Sequence, residues 1–321
     1  MERIRYAAAL AVALAGLLAL VVLALLVGRY PLSLSDLALL KTVVLEIRGP
    51  RVLAAALVGA ALAAAGTAYQ GILRNPLVSP DILGVSSGAA LGAVAAMMLS
   101  MNVFMVQILA FAGGLAAVAL VYWIASRLRG HDPLLALVLT GVVVGTLLGA
   151  VVSLLKTLAD PLGQLPAITF WLLGSLASVA PRELAVAAPL AIAGLIPLAL
   201  LRWRVNLLTL PDDEARALGA DPGPLRLLVI AAATLLTAAA VAISGIIGWI
   251  GLLVPHAARL LVGPGFGRLL PFAMLLGAAF LLAVDTLCRA ATALELPPGV
   301  VTALIGTPLF LWLFALSRRS W

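Results

Sequence analysis

The chain has 321 residues, of which 64% are hydrophobic and only 10% are charged, and its formal net charge is +7. This composition excludes an ordinary soluble domain and indicates a helical protein that crosses a membrane several times. The positive charge does not indicate a nucleic-acid-binding protein, because the basic residues are scattered through short loops and form no continuous basic stretch.

The apolar run from Tyr6 to Val27 predicts a first membrane span. A secretory signal has a shorter apolar region of about 7–15 residues, so this run is predicted to be an uncleaved span. Arg3 and Arg5 precede it and indicate a cytoplasmic amino terminus. The next segment, 29–50, carries several charges and is predicted to form an amphipathic stretch on the outer surface.

Further apolar runs predict nine more spans, which makes about ten in total. Their expected bounds are 51–71, 82–99, 104–126, 134–156, 186–202, 226–243, 250–262, 269–290 and 299–316. An even number of spans places both termini on the cytoplasmic side. The run 250–262 is too short to cross alone, and Pro255 is a candidate break within it. Between 157 and 185, a short apolar piece around Trp171 predicts a partial helix at the outer interface.

A polar segment rich in proline and glycine, 70–89, separates the second and third spans. Pro76 and Pro80 lack an N–H and restrict the residues before them, so no regular helix can run through. Irregular backbone near a bilayer is stable only where protein buries it or water reaches it. Two interpretations remain, a cytoplasmic turn or a gate that lines a transport pathway, and the rest of the sequence favours the gate.

Three arginines, Arg48, Arg51 and Arg289, are predicted on the outer side, where positive charge is normally scarce. The simple explanations are snorkelling of Arg48 and Arg51, and an ion pair between Arg289 and Asp285 on one helix face. The sharper hypothesis is an outer cationic surface that docks acidic residues of a protein partner.

The main hydrophilic inner loop is 205–224. Asp212 and Asp213 are predicted to cap a short helix that ends at Gly219. Such a helix on the membrane face, with three acids and one base, suits contact with a soluble protein. A solvated connector is the alternative.

Eight short motifs are spread over nearly the whole chain. They are Arg48-x-Pro50-Arg51, Gly59–Ala63, Gln70, Arg74-Asn75-Pro76-Leu77, Gly84–Ala89, Gly251–His256, Asp285-Thr286-Leu287-x-Arg289 and Leu296–Thr302. In this order they resemble the FecCD-type permeases, which belong to the type II ABC importers for iron-siderophores, haem or cobalamin. Some relatives of these permeases carry oxyanions such as molybdate.

The resemblance implies an all-α polytopic membrane protein of about ten transmembrane helices, with the BtuC-like permease fold in a single domain over 1–321. It implies a homodimer with the pathway on its two-fold axis, two ATP-binding cassette ATPase subunits and a periplasmic or extracellular substrate-binding protein. The location would be the cytoplasmic (inner) membrane of a bacterium or archaeon. Spans two to five and seven to ten would form an inverted repeat, and ATP and Mg²⁺ would be cofactors of the partner ATPase only.

Three groups of residues match functional positions of the family. Arg48, Arg51 and Arg289 match positions that receive acidic residues of the binding protein. The cytoplasmic gate and pathway would include Asn75, Leu77, Gln70, Ser86 and Ser87. The contact with the ATPase would include Ala215, Arg216, Leu218 and Gly219. The family often has small hydroxyl residues at a second inner gate, where this chain has Pro133-Leu134-Leu135, so no residue is assigned there.

The sequence contains no Gly-x-x-x-x-Gly-Lys-Ser/Thr motif, so the chain is predicted not to be an enzyme and not to hydrolyse ATP itself. ATP binding and hydrolysis by the partner are expected to move the helices beside Asn75 and Leu77. The apolar pathway suits a bulky chelate and would accept an iron-siderophore, haem or cobalamin equally. The frequency of substrates in the family favours an iron-siderophore or haem. A cobalamin or molybdate importer is the alternative.

Two other function classes fit the sequence less well. An ion-coupled secondary transporter keeps ionisable residues deep in its spans, whereas Lys156 and Asp285 fall near predicted span ends. A membrane enzyme would need grouped ligands, but His131 and His256 lie in different regions, and His256 is expected to have a satisfied structural role. The single cysteine, Cys288, excludes an intrachain disulfide.

Overall fold

The computed structural model describes residues 2–28, 41–128, 132–292 and 294–316. All regular structure in these ranges is helical. The helices are α1 (Glu2–Leu26), α2 (Gly49–Ile72), α3 (Val85–Met98), α4 (Val103–Ala125), α5 (Pro133–Leu158), α6 (Gln164–Leu172), α7 (Pro181–Leu200), α8 (Arg202–Leu207), α9 (Asp212–Ala217), α10 (Pro222–Ser244), α11 (Ile250–Val262), α12 (Phe266–Ala290) and α13 (Pro298–Leu316). A π-helical turn, Val43–Arg48, precedes α2, and a 3₁₀ turn, Pro80–Leu83, precedes α3. His131 lies outside the described residues, and so does the first part, 29–40, of the amphipathic stretch predicted over 29–50.

Eight of the described helices are long and apolar enough to cross a membrane, and α3 and α11 are shorter apolar helices. These ten helices correspond to the ten predicted spans, so the all-α membrane fold is confirmed. The largest difference lies at α7, which begins at Pro181 instead of residue 186. The carboxylate of Glu183 accepts the N–H of Ala180 at 2.8 Å, and proline suits the first turn, so the helix starts earlier than its apolar run. The predicted partial helix around Trp171 is also present, as α6.

Two local expectations are wrong. The helix α11 continues through Pro255 from Ile250 to Val262. Proline removes only one intrahelical hydrogen bond there, and its neighbours Val254 and His256 are buried against other helices. Residues 41–50 form no separate surface stretch, because the helical backbone runs from residue 41 into α2.

The central helix is α2. In its most apolar stretch 78% of the residues are buried inside the protein, against 6% in α1. The helices α10 and α12 pack against α2 and are also largely buried, whereas α1, α7 and α13 lie at the periphery. Their exposed surfaces are apolar, as expected of surfaces that face lipid or another subunit.

Glycines allow α2 to approach its neighbours closely. A Cβ atom at Gly59 would lie 2.2 Å from the carbonyl oxygen of Gly277 in α12, and one at Gly66 would lie 1.9 Å from that of Gly251 in α11. Small residues at helix interfaces permit such packing in a membrane. At Gly149, in contrast, nothing lies within 4 Å of a Cβ, so close packing within the described chain does not explain this glycine.

Candidate gate, coupling helix and arginine cluster

The connection between α2 and α3, residues 73–84, is called the hairpin here. Asn75 Oδ1 accepts the N–H of Leu77 at 2.9 Å and closes a turn over Pro76. Arg74 has a φ of +50°, which turns the chain out of α2. Asn75 and Leu77 are both exposed at the tip of this turn, so the structure brings the two proposed gate residues together on an accessible surface.

Asp81 organises the second half of the hairpin. Its N–H donates to Ser79 Oγ at 3.3 Å, and its carboxylate accepts the hydroxyl of Ser86. Gly84, with a φ of +78°, then turns the chain into α3. Ser86 is therefore buried and braces the hairpin, while Ser87 is half-buried. Sequence reasoning did not assign a role to Asp81, although its position after a serine and before a helix is typical of a turn.

Gln70 is buried where the hairpin meets α11. Its amide nitrogen donates to the carbonyl oxygens of Leu252 at 3.1 Å and Val78 at 3.4 Å. Its amide oxygen accepts a hydrogen bond from Arg259 at 3.2 Å. Gln70 thus holds the hairpin against α11 in this conformation, and its role in a pathway stays a prediction.

An ionic contact joins the hairpin to the inner loop. Asp212, the first residue of α9, accepts hydrogen bonds from Arg74 at 2.7 Å and from Arg226 of α10 at 3.0 Å. Arg74 also donates to the carbonyl oxygen of Leu208 at 3.0 Å. We call Arg74, Asp212 and Arg226 the Asp212 clamp. Partial burial raises the pKa of Asp212, but the hydrogen bonds and charges of the two arginines outweigh it, so the pKa lies below its ordinary value.

The clamp corrects one expectation from the sequence. Asp212 and Asp213 were expected to cap the short helix of the inner loop. That helix exists as α9, and Gly219, with a φ of +82°, follows its carboxyl end as predicted. However, Pro211 occupies the cap position without a side-chain hydrogen bond. Asp212 is used by the clamp, and Asp213 pairs with Arg216 at 2.9 Å.

The residues expected to contact an ATPase fall on two sides of α9. Ala215 is fully buried and packs toward this chain. Arg216, Leu218 and Gly219 are exposed. Leu218 is a large apolar side chain exposed just after α9, which suits contact with another protein.

The arginine cluster consists of Arg48, Arg51, Asp285, Arg289 and Glu295. Arg51 donates to Asp285 at 2.9 Å and to Glu295 at 3.0 Å. Arg289 lies 3.1 Å from the other carboxylate oxygen of Asp285, so the expected ion pair on one helix face is confirmed. Asp285 is fully buried and links α2 to α12 through Arg51.

Two members of the cluster also hold the end of α1. Arg48 donates to the carbonyl oxygens of Leu25 at 2.8 Å and Leu26 at 2.9 Å. Arg289 donates to that of Ala24 at 3.2 Å. The last carbonyl groups of a helix lack intrahelical partners and carry partial negative charge, so these arginines cap α1.

The arginines of the cluster are buried, which limits their access to a binding protein. The exposed fractions of Arg48, Arg51 and Arg289 are only 5%, 9% and 6%. The structure therefore brings the three predicted docking residues together but directs them into contacts within the chain. Their contact with a binding protein stays a prediction.

His256 differs from expectation. Its side chain is 1% exposed, and neither ring nitrogen has a hydrogen-bond partner among the described residues. Its ring centre lies 5.7 Å from that of Phe310, so it packs as an aromatic residue. The expected hydrogen-bonded role is wrong for the part of the chain described. Within the same part, no three histidine, cysteine, aspartate or glutamate residues are grouped to hold a metal.

Comparison with known proteins adds independent information. The family model of the FecCD transport family matches residues 16–315. The "Cobalamin import system permease protein BtuC" of Halobacterium salinarum is 46% identical over 274 residues, 85% of this chain and 73% of the relative. The "Probable iron chelatin transport system permease protein" of Helicobacter pylori is 43% identical, over 88% of this chain and 85% of the relative. A solved structure described as an inward-facing metal-chelate type ABC transporter matches with a TM-score of 0.90 and 40% identity, over 95% of this chain and 98% of the other.

Proposed function

The chain belongs to the FecCD transport family of ABC importer permeases, and we propose that it carries a metal chelate, an iron-siderophore or haem, across the cytoplasmic membrane. As a permease subunit it is the membrane component of the importer and not itself an enzyme. ATP and Mg²⁺ would bind to a separate ATPase subunit. The chain would hold no cofactor and would act as one permease domain over 1–321, with its coupling loop at 205–224.

The Asp212 clamp is the observation that carries the mechanism. Arg74 precedes Asn75 at the tip of the hairpin, and its guanidinium lies 2.7 Å from the first residue of α9. A movement of α9 is therefore passed directly to the proposed gate. The ATPase would contact Arg216, Leu218 and Gly219, while the buried Ala215 would transmit the displacement into the chain. Nucleotide-dependent contacts would then shift the population between two packed arrangements of the hairpin.

Membership of the family supports a proposed assembly with other subunits. We expect two copies of this permease around a shared pathway, two ATPase subunits on the α9 side and a binding protein on the opposite side. Both termini would be cytoplasmic, as the arginines of the inner loops indicate. The apolar exposed surface of α13 and other peripheral helices would be covered by the second copy or by lipid.

The arginine cluster would receive the binding protein. Arg51 and Arg289 share the buried Asp285, and Arg51 also pairs with Glu295. Glu295 is the most accessible acid of the cluster, with a side chain 30% exposed. Carboxylates of the binding protein would compete with Glu295 for Arg51, and docking would exchange one ion pair for another.

The proposed substrate is inferred from the names of similar proteins. One relative is named for an iron chelate and another for cobalamin. We favour the metal chelate, because the closely similar solved structure is also described as metal-chelate type. Cobalamin is the second candidate and molybdate the third.

Reconstitution in vesicles tests this function. The permease, its ATPase and its binding protein would take up a radiolabelled iron-siderophore or haem only when ATP is present on the ATPase side. Cobalamin and molybdate would be offered in parallel. Uptake by the permease alone, driven by an ion gradient, would contradict the importer, whereas ATP-dependent uptake of another substrate would contradict only the substrate.

A further inference from the structure

A pocket of about 850 Å³ lies between the start of α1, the junction of α7 and α8, and the turn from α11 to α12. Arg5, Arg202 and Arg268 line it together with Tyr6 and Trp203. The three arginines come from segments far apart in the sequence, and the described lining contains no carboxylate. The fold therefore gathers positive charge at this place without using it for the proposed transport.

Two charges of the pocket, those of Arg5 and Arg202, are available to a ligand. Arg5 and Arg202 are exposed and form no ion pair with the described chain. Arg268 is held in place at Tyr6: the Tyr6 hydroxyl donates to its carbonyl oxygen at 3.3 Å, and its guanidinium carbon lies 5.9 Å from the ring centre. The amino terminus of α12, a helix of 25 residues, opens at the same wall and adds the partial positive charge of its N–H groups.

The surroundings place the pocket at a membrane boundary. Three membrane-crossing helices, α1, α7 and α12, begin or end there. Trp203 is 76% exposed and Leu261 is 67% exposed on the lining. Indole side chains prefer the headgroup level of a bilayer. At the membrane boundary, the basic pocket suits the headgroup of a phospholipid, and the exposed apolar side chains beside it suit the acyl chains.

We propose that this pocket binds the phosphate headgroup of an anionic phospholipid. Arg5, Arg202 and Arg268 hold the phosphate, and Trp203 and Leu261 contact the glycerol and the upper acyl chains. Basic pockets between membrane helices on the cytoplasmic side favour anionic headgroups. The lipid would tie the amino end of α1 to α7 and α12, while Arg48 and Arg289 already hold the carboxyl end of α1. The proposal does not depend on the transported substrate.

Native mass spectrometry of the full importer tests the proposal. The complex is exchanged into micelles that contain either phosphatidylglycerol or phosphatidylcholine. We expect retention of phosphatidylglycerol and not of phosphatidylcholine. Replacing Arg5, Arg202 and Arg268 with Gln should weaken this binding about fivefold per arginine, and about 100-fold when combined. Arg204→Gln is the matched control, because Arg204 is an exposed arginine of α8 that does not line the pocket.

A variant with Lys at the same three positions is the control for misfolding of the Gln variant. It keeps the charges, so it should recover most of the phosphatidylglycerol binding. Equal retention of both lipids, or full retention by the triple Gln variant, would overturn the proposal. So would equally tight, arginine-dependent binding of inorganic phosphate in lipid-free detergent, since the site would then serve a free anion. If the triple Gln variant loses the ATPase subunit while its phosphatidylglycerol binding is unchanged, the pocket is a protein interface. That result would overturn the proposal as well.

Discussion

At the residue scale, Asp212 is the acid on which the proposed coupling depends. Its side chain accepts from two arginines that belong to the hairpin and to α10. Hydrogen bonds to charged groups are worth about 1.5–3 kcal/mol each when little exposed, and the partial exposure of Asp212 reduces that value.

Asp212→Asn is expected to lower substrate uptake about tenfold while ATP hydrolysis continues, because the hairpin no longer follows α9. The ratio of transported substrate to hydrolysed ATP measures this coupling. Asp213→Asn is the matched control, because Asp213 pairs with the exposed Arg216 outside the clamp and its side chain is 98% exposed. An equal ratio of transport to ATP hydrolysis in both variants would show that the clamp does not pass the movement of α9 to the hairpin.

The pKa of Asp212 gives a pH dependence. It lies below the ordinary value, so the contribution of the clamp is present above the ordinary pKa of aspartate, about 4, and is lost only as the pH falls through the lowered value. The ratio of transport to ATP hydrolysis should therefore stay constant from about pH 8 to pH 5. A fall in this ratio near pH 6 would contradict a closed, ionised clamp.

Asp285 provides the second test at this scale. Asp285→Asn leaves the buried Arg289 without its carboxylate partner and Arg51 with Glu295 alone, which should destabilise the permease by about 3–5 kcal/mol. Glu295→Gln should cost about 1 kcal/mol or less, since Glu295 is partly exposed. Thermal unfolding in detergent compares the stabilities of the two variants.

The proposed competition between Glu295 and acidic residues of the binding protein gives a separate prediction. The Glu295→Gln permease should bind the binding protein more tightly than the unchanged permease does. Weaker binding would contradict that competition.

At the element scale, the packing of α2 against α11 is the tightest contact described above. Gly66→Ala would place a methyl group 1.9 Å from a backbone oxygen of α11, so the helices must separate. We expect a marked fall in melting temperature. Gly71→Ala in the same helix is the control, because nothing lies within 4 Å of its Cβ and alanine favours a helix by up to about 1 kcal/mol. Similar melting temperatures would show that α2 and α11 can separate freely.

The two short helices belong to the same scale. If spans two to five and seven to ten are repeats, α3 and α11 occupy equivalent places, as the second helix of each half. Both follow irregular backbone with a positive φ, at Gly84 and at Trp249. Short segments at corresponding positions of two halves are typical of the pathway region in transporters with repeats. The repeat itself stays a prediction.

At the scale of the whole molecule, the peripheral apolar surface suits contact with lipid or with another subunit, and the proposed assembly contains two permeases. Light scattering of the purified importer should give a mass that corresponds to two permeases and two ATPases. Omitting the ATPase gene from expression should leave a permease without ATP-dependent uptake. A stable, active complex with one permease would contradict the homodimer.

Much of this protein follows from composition and local patterns. Each apolar run long enough for a bilayer became a helix, and prolines at positions such as 133, 181 and 222 began helices because the first turn needs no N–H from them. The end of α9 also follows from a local signal, because Gly219 takes up the positive φ that follows the helix. The hairpin could be recognised because Pro76 and Pro80 prevent a helix whatever surrounds them.

Only the tertiary structure decided which residues meet. Arg51 reaches Asp285 across 234 positions of sequence, and Arg74 reaches Asp212 across 138. No periodic pattern in the sequence predicts such contacts, because in a membrane protein the surfaces that face lipid are as apolar as those that face the core. The sequence by itself therefore determined the spans, their turns and the family. Which side of each helix is buried, and which charges are paired, depended on packing between distant segments.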